Sequence, residues 1–378
     1  MDKVVVLYIN HTSGLGGAAL SLYNLINSLG NNVLPIVLIP SKGQAYEFFS
    51  RKGIRCIIHP FRCNIREKNV LTHYLRFIPH YIRDKYFNNV CCRYVIKELG
   101  SLKVDIVHSN SSVFTIGIDL AKRLSAKHVW HIREFQDLDF GMKPFLGWNN
   151  LKRKIYASDA VIAITKAVYE HWNLEKAHNA CYLWDAVRSE KDVIYKERKQ
   201  KYFFFCAATL SDAKGAVFAI EAFGRSNLAK ESYKLVLAGN VTENYKNTLN
   251  ALMEKYAITK DVEMIGYCND IKPYMAEATA FLMCSRNEGL GRVTIEAMFY
   301  GCPVIARNTG GTSEIIINNK NGLLFTDMDT CIKAMNNITH NSYIEMILEA
   351  QCFAVEYFSE EKYGKRINRI YRSIFIEK

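Results

Sequence analysis

Short β-branched runs alternate with helix-like stretches along almost the whole chain, and no other feature limits the fold as tightly. Segments 4–9, 33–39, 56–58, 104–108, 128–131 and 160–164 read as strands. Between them, 18–29, 44–52, 62–97, 114–124 and 144–156 carry helical patterns. Strands separated by helices of roughly 10–15 residues build parallel sheets through βαβ crossovers. A polar, charged stretch over 185–201 interrupts the series, and a second series follows. Its strands are expected at 202–208, 234–238, 262–265, 280–284, 304–306 and 323–325. Its helices are expected at 216–223, 245–256, 271–277, 293–300 and 313–318, with a helical tail over 349–376. The chain therefore reads as two successive α/β units. The expected division is a first domain over 1–185, a linker over 186–200 and a second domain over 201–355. A closing helix over 356–378 is able to pack back on the first domain.

At 378 residues with 49% apolar content, the chain has material for two cores. No run approaches the roughly 18 apolar residues of a transmembrane helix, and 4–9 is too short for a signal peptide. The eleven cysteines are odd in number and scattered, several within apolar runs (Cys206, Cys284), and no CxxC pair is present. Reduced, buried thiols in a cytoplasmic protein are expected. Half of the net charge of +12 falls between Arg62 and Lys97, where eight lysines and arginines face Glu67 and Asp84. Tyr74, Phe77, Tyr81, Tyr86, Phe87 and Tyr94 lie among them. Basic residues mixed with aromatics suit an anionic membrane surface, which would make the protein peripheral on the inner membrane face. A solvated helix pair with aromatic core contacts fits equally well. Nucleic acid is the weakest partner and is not expected.

Two glycine loops follow strands. Gly14, Gly16, Gly17 and Ala19 sit between the first strand and its helix. Glycines there let backbone N–H groups approach a phosphate. A glycine turn kept for helix packing is the alternative. The spacing of Gly14, Gly16 and Ala19 also fits a dinucleotide fingerprint. The second strand, however, ends Ile39-Pro40-Ser41 without the acidic residue that would hold a ribose, so NAD is set aside. The more informative loop is Ser285-Arg286-Asn287-Glu288-Gly289-Leu290-Gly291-Arg292, which opens a helix carrying Glu296. Gly301-Cys302-Pro303 ends that helix, and Gly310-Gly311 turns into the next. Loop N–H groups and the positive helix end form an anion site, beside which Glu288 is suited to bind hydroxyls.

Two glutamates with seven residues between them, in this glycine context, resemble the retaining glycosyltransferases of family 4, also called group 1. The resemblance is specific over 284–325 and weaker over the rest. It implies the GT-B fold, two Rossmann-like domains facing each other across a cleft. It implies a metal-independent, hexosyltransferase-type enzyme moving a sugar from a nucleotide-diphosphate sugar to a glycan or lipid-linked acceptor, in bacterial surface polysaccharide biosynthesis. No cofactor is implied. In the family the first glutamate contacts donor sugar hydroxyls, the role that falls to Glu288. The second holds the nucleotide ribose, which falls to Glu296, while Gly289, Leu290 and Gly291 bind sugar or diphosphate. Gly16 and Gly17 join the donor site from the first domain. The family also places an arginine and a lysine after the first strand of the second domain. Lys214 matches the lysine, but Thr209 stands where the arginine should be. Arg286 and Arg292 are the nearest substitutes. His131 matches a histidine that faces the sugar, and with Lys214 and Glu288 completes the expected catalytic set. Arg133 and Glu134 are expected at the acceptor, with His108, Asn110 and Ser111 as further lining. Thr209 also leaves open a catalytically weakened sugar- or nucleotide-binding protein. A sugar-nucleotide epimerase is the other alternative, and a phosphorylase would need a cofactor lysine that finds no place.

Overall fold

The structure, a computed structural model, describes residues 3–67, 77–195, 200–340 and 343–376. In the first half, β1 (Val4–Ile9), β2 (Val33–Ile39), β3 (Arg55–Ile58), β5 (Ile106–Ser109), β6 (Lys127–Ile132), β8 (Ala160–Ala163) and β9 (Ala180–Tyr182) form one parallel sheet. Its order is β3-β2-β1-β5-β6-β8-β9. Buried Val, Ile and Leu on both faces explain why these strands read as near-continuous apolar runs rather than as alternating ones. Two short strands, β4 (Ile65–Glu67) and β7 (Met142–Pro144), pair antiparallel outside this sheet. In the second half, β10 (Tyr202–Thr209), β11 (Lys234–Asn240), β12 (Val262–Gly266), β13 (Ala280–Met283), β14 (Val304–Arg307) and β15 (Leu323–Phe325) form a second parallel sheet. Its order is β12-β11-β10-β13-β14-β15.

The chain divides into one unit of Met1–Ala186 with Glu360–Lys378 and a second of Val187–Ser359. Two boundaries differ from expectation. The segment expected as a linker is built into the second unit over 187–195. Ser189 caps the short turn Glu190–Asp192 with a reciprocal capping box, Ile194 N–H donates to the Phe299 carbonyl at 3.0 Å, and Gln351 Nε2 donates to the Ile194 carbonyl at 2.6 Å. Glu190 and Lys191 face water, while the N–H groups of Val187, Asp192, Val193 and Ile194 are hydrogen-bonded. Residues 196–199 lie outside the described residues. The tail expected as one helix over 349–376 is two, Ile344–Phe358 and Glu360–Ser373, broken at the extended, buried Ser359.

The last helix belongs to the first unit. Tyr363, Ile367 and Tyr371 are buried with Val6, Tyr8, Leu22, Leu25 and Leu29 in one core. Gly364 carries no side chain where the helix crosses Gly17–Leu29, because a Cβ would collide with the Ser28 carbonyl. The basic segment is helical over Phe77–Leu99, and Cys91, Cys92, Val95 and Leu99 pack inward. Ile82, Tyr86, Phe87 and Tyr94 stay exposed. Lys68, Tyr74 and Arg76 lie outside the described residues. All eleven cysteines are free thiols. No described helix is long and apolar enough to cross a membrane.

Candidate active site

In the second unit, three loops at the carboxyl ends of β10, β13 and β14 converge. Gly215 takes φ +82°, and a Cβ there would collide with the Cys284 carbonyl, so glycine lets the loop after β10 lie against the end of β13. Arg286 N–H donates to the Ala213 carbonyl at 3.1 Å and fixes the contact. The result brings Lys214 Nζ to 2.6 Å from Glu288 Oε1, which also accepts from Ser285 Oγ at 2.7 Å. From the other side Gly310, at φ +55°, leaves room for the Glu288 carbonyl 2.7 Å from where its Cβ would be, and Gly311 N–H donates to that carbonyl at 2.9 Å. Glu288 is thus held through backbone and side chain. Leu290 is buried, and Gly291 (φ +72°) caps the helix Arg292–Phe299. Thr294 Oγ1, in the first turn, is buried with no hydrogen-bond partner among the described residues.

Glu296 lies one turn into that helix, 8% exposed, with Oε1 3.1 Å from Arg188 Nη2. Arg188 also lies over the Tyr300 ring, 5.7 Å from its centroid. Sequence reasoning missed Arg188 because it sits in the stretch taken for a linker. Thr209 ends β10 and is exposed. Arg286 is exposed and Arg292 half-buried, whereas Arg307 donates to the Cys284 carbonyl at 3.2 Å and lies over Phe218.

In the first unit, the loops after β1, β5 and β6 come together. A Cβ on Gly14 or Gly16 would meet nothing within 4 Å, and neither glycine has positive φ. Packing therefore does not demand glycine there. Gly17 opens the helix that follows. Arg133 is buried and joins three partners: Nη1 pairs with Asp185, Nε donates to Asn110 Oδ1 at 2.6 Å, and Nη2 donates to His131 Nδ1 at 3.2 Å. Asn110 Nδ2 in turn donates to the Ala18 carbonyl beside the glycine loop. His131 is fully buried, with Nε2 3.4 Å from Asp185 Oδ1. Burial, and next the Arg133 guanidinium, push its pKa well below the usual histidine range. His108 is likewise held neutral, chiefly by burial, and its Nδ1 meets the Tyr371 hydroxyl at 2.8 Å. Tyr363 O–H donates to Asp185 Oδ1 at 2.9 Å. Glu134 is also buried, and its Oε1 accepts from Ser111 Oγ, Ser112 N–H and Ser112 Oγ at 2.6–2.7 Å.

His131, Arg133 and Glu134 thus form a framework shared with Asp185 and the last helix. Asp185 and Gln136 escaped sequence reasoning. The only available signal was a lone acid in Trp184-Asp185-Ala186 and a polar residue after the strand. Gln136 is buried with φ +72°, an unusual conformation for a residue with a side chain.

Residues 187–351 match the family described as "Glycosyl transferases group 1". This stretch of the second unit is similar to a group 1 glycosyl transferase domain. An uncharacterized glycosyltransferase of Methanocaldococcus jannaschii is 24% identical over 68% of this chain and 71% of its own length. The alpha-monoglucosyldiacylglycerol synthase of Acholeplasma laidlawii is 21% identical over 96% of this chain and 94% of its own. Among solved structures, Anabaena Alr3699/HepE in complex with UDP superposes with a TM-score of 0.81, covering 98% of this chain and 100% of that one at 16% identity. The last likeness establishes the fold as GT-B, two Rossmann-like units. The Lys214–Glu288 pair and Glu296 all lie within the matched residues.

Proposed function

We propose that the protein transfers a sugar from a nucleotide-diphosphate donor to a glycan or lipid-linked acceptor, with retention of configuration and without a metal, in bacterial surface polysaccharide biosynthesis. One observation carries this: Lys214 Nζ lies 2.6 Å from Glu288 Oε1 at the head of a glycine loop that opens a helix bearing Glu296. A cation, a carboxylate and a helix N-terminus set together suit a sugar diphosphate. Glu288 takes sugar hydroxyls, Glu296 the ribose, and Gly289, Leu290 and Gly291 the diphosphate. As the bond from the anomeric carbon to the diphosphate oxygen breaks, charge builds on that oxygen. Lys214 and the helix N-terminus meet it. The acceptor oxygen bonds to the same face of the sugar, and its proton passes to the departing phosphate oxygen. Arg133, Glu134 and His131 shape the acceptor side. The exposed aromatic residues of Phe77–Leu99 support a peripheral protein on the cytoplasmic membrane face. The lipid product in the name of the Acholeplasma relative supports a lipid-linked acceptor.

The test is a metal-free thermal-shift panel of UDP, GDP, ADP, dTDP and CMP, followed by release of nucleoside diphosphate from the matching sugar donor. A ligand at about 100 times its Kd adds roughly 2.7 kcal/mol of apparent stability, which shifts Tm by a few degrees. No shift with any of them would overturn the proposal. The exposed Thr209 favours one alternative, a protein that binds a sugar nucleotide with weakened catalysis. Nucleotide binding without turnover would select it. Thr209→Arg would then raise turnover.

A further inference from the structure

The first unit contains a cavity of about 190 Å³ whose lining includes none of His131, Arg133 and Glu134. One wall is a face of the helix Phe77–Leu99, where Tyr81 and Lys85 stand four residues apart. Phe145 and the helix Trp148–Tyr156, which presents Asn150 and Lys154 at the same spacing, supply further lining. Tyr81 and Phe145 stack with ring centroids 6.4 Å apart and planes 23° from parallel. Neither Lys85 nor Lys154 forms an ion pair among the described residues. The lining holds a single carboxylate against them, Asp119. Ile82 (61% exposed) and Tyr86 (65%), next in sequence to Tyr81 and Lys85 on the same helix, and Leu146 (38%) of the cavity lining present apolar surface to water.

Two cations at a small cavity, with exposed apolar side chains on the same helix and at Leu146, match an amphiphile that has an anionic head. A soluble phosphate has no use for Ile82, Tyr86 and Leu146. A purely apolar ligand has none for Lys85 and Lys154. We infer that this cavity binds the phosphate headgroup of an anionic lipid, with Lys85 and Lys154 as its charge partners and Ile82, Tyr86 and Leu146 against the acyl region. The inference rests on the peripheral-membrane part of the function proposed above. It adds a defined subsite, half of it from a helix outside the basic segment.

The test is sedimentation of the full-length protein with vesicles of phosphatidylcholine alone, or of phosphatidylcholine mixed with phosphatidylglycerol. The protein should bind the mixed vesicles and leave the neutral ones. Lys85→Gln with Lys154→Gln should weaken that binding about tenfold or more, since each basic residue at a charged surface contributes about fivefold. Lys255→Gln with Lys260→Gln, exposed positions in the second unit, removes the same charge and should change binding less than about twofold. Ile82→Ser with Tyr86→Ser should also release the protein. Equal losses from both lysine pairs would reduce the effect to bulk charge and overturn the subsite, as would no binding to the mixed vesicles. Millimolar glycerol 3-phosphate should leave the vesicle-bound fraction unchanged. Displacement by it would replace the lipid with a free phosphate ester. The double lysine variant should keep the wild-type Tm and its shift with nucleoside diphosphate. Absence of that shift in the wild type would count against the transferase function alone, because the vesicle assay contains no nucleotide.

Discussion

At the scale of single residues, chemistry and stability separate. Lys214 is 41% exposed and its pair with Glu288 is half in water, so the pair contributes little to folding. Lys214→Met and Glu288→Ala should each lower kcat by about 10²–10³ with little change in Tm, as expected where a preorganised charge acts mainly on the transition state. Equal rates in wild type and both variants would remove them from the site. The buried histidines behave in the opposite way. His108, His128 and His131 are all neutral when folded, and burial, with Asp159 opposing it weakly, brings His128 down to about 4. A folded pKa below the unfolded value of about 6.5 means that the unfolded chain takes up the proton first. Their full contribution to stability is present above about pH 6.5 and is lost as pH falls, for His128 until about pH 4. For His128 the loss is about 2 kcal/mol at pH 5, and His108 and His131 add to it in the same direction, so Tm should drop between pH 7.5 and 5. His128→Gln should flatten that drop. The glutamate pair was legible because motif residues sit in one loop and one helix. Asp185 and Arg188 were not, because their partners lie far away in sequence, at Arg133, Tyr363 and Glu296.

At the scale of elements, the glycines decide how the loops meet. Gly310→Ala places a Cβ 2.7 Å from the Glu288 carbonyl at φ +55°. It should cost about 1–3 kcal/mol and reduce turnover more than it reduces nucleotide binding. Urea denaturation together with a donor titration would check this. Strands were read well because parallel strands buried on both faces are written as unbroken apolar runs, as in β1 and β2. The helix Met328–His340 went unread. It buries only Cys331, Met335 and Ile338 along a mostly polar surface, so its period is faint. The pair β4–β7 was invisible because three-residue strands leave no pattern to count. The break at Ser359 lies inside a continuous helical periodicity and is set by the passage between units, which no local signal announces.

At the scale of the whole molecule, the first unit depends on a helix that follows the second in sequence. Tyr371 is fully buried and its hydroxyl meets His108 Nδ1. Tyr371→Phe should cost about 1–3 kcal/mol by leaving that nitrogen without its partner, and Tyr371→Ala about 3–5 kcal/mol. Calorimetry should show the loss in the transition of the first unit, with the nucleoside-diphosphate shift of the second retained. The same connectivity has a consequence for synthesis on the ribosome. The segment 1–186 emerges first but lacks the helix that covers Val6, Tyr8 and Leu22, and must wait until all of 187–359 has been made. The second unit, continuous in sequence, can finish earlier. The unit begun first is therefore the one completed last. A chain interrupted anywhere before residue 360 would present that uncovered core to chaperones and proteases, even when its second unit had already folded.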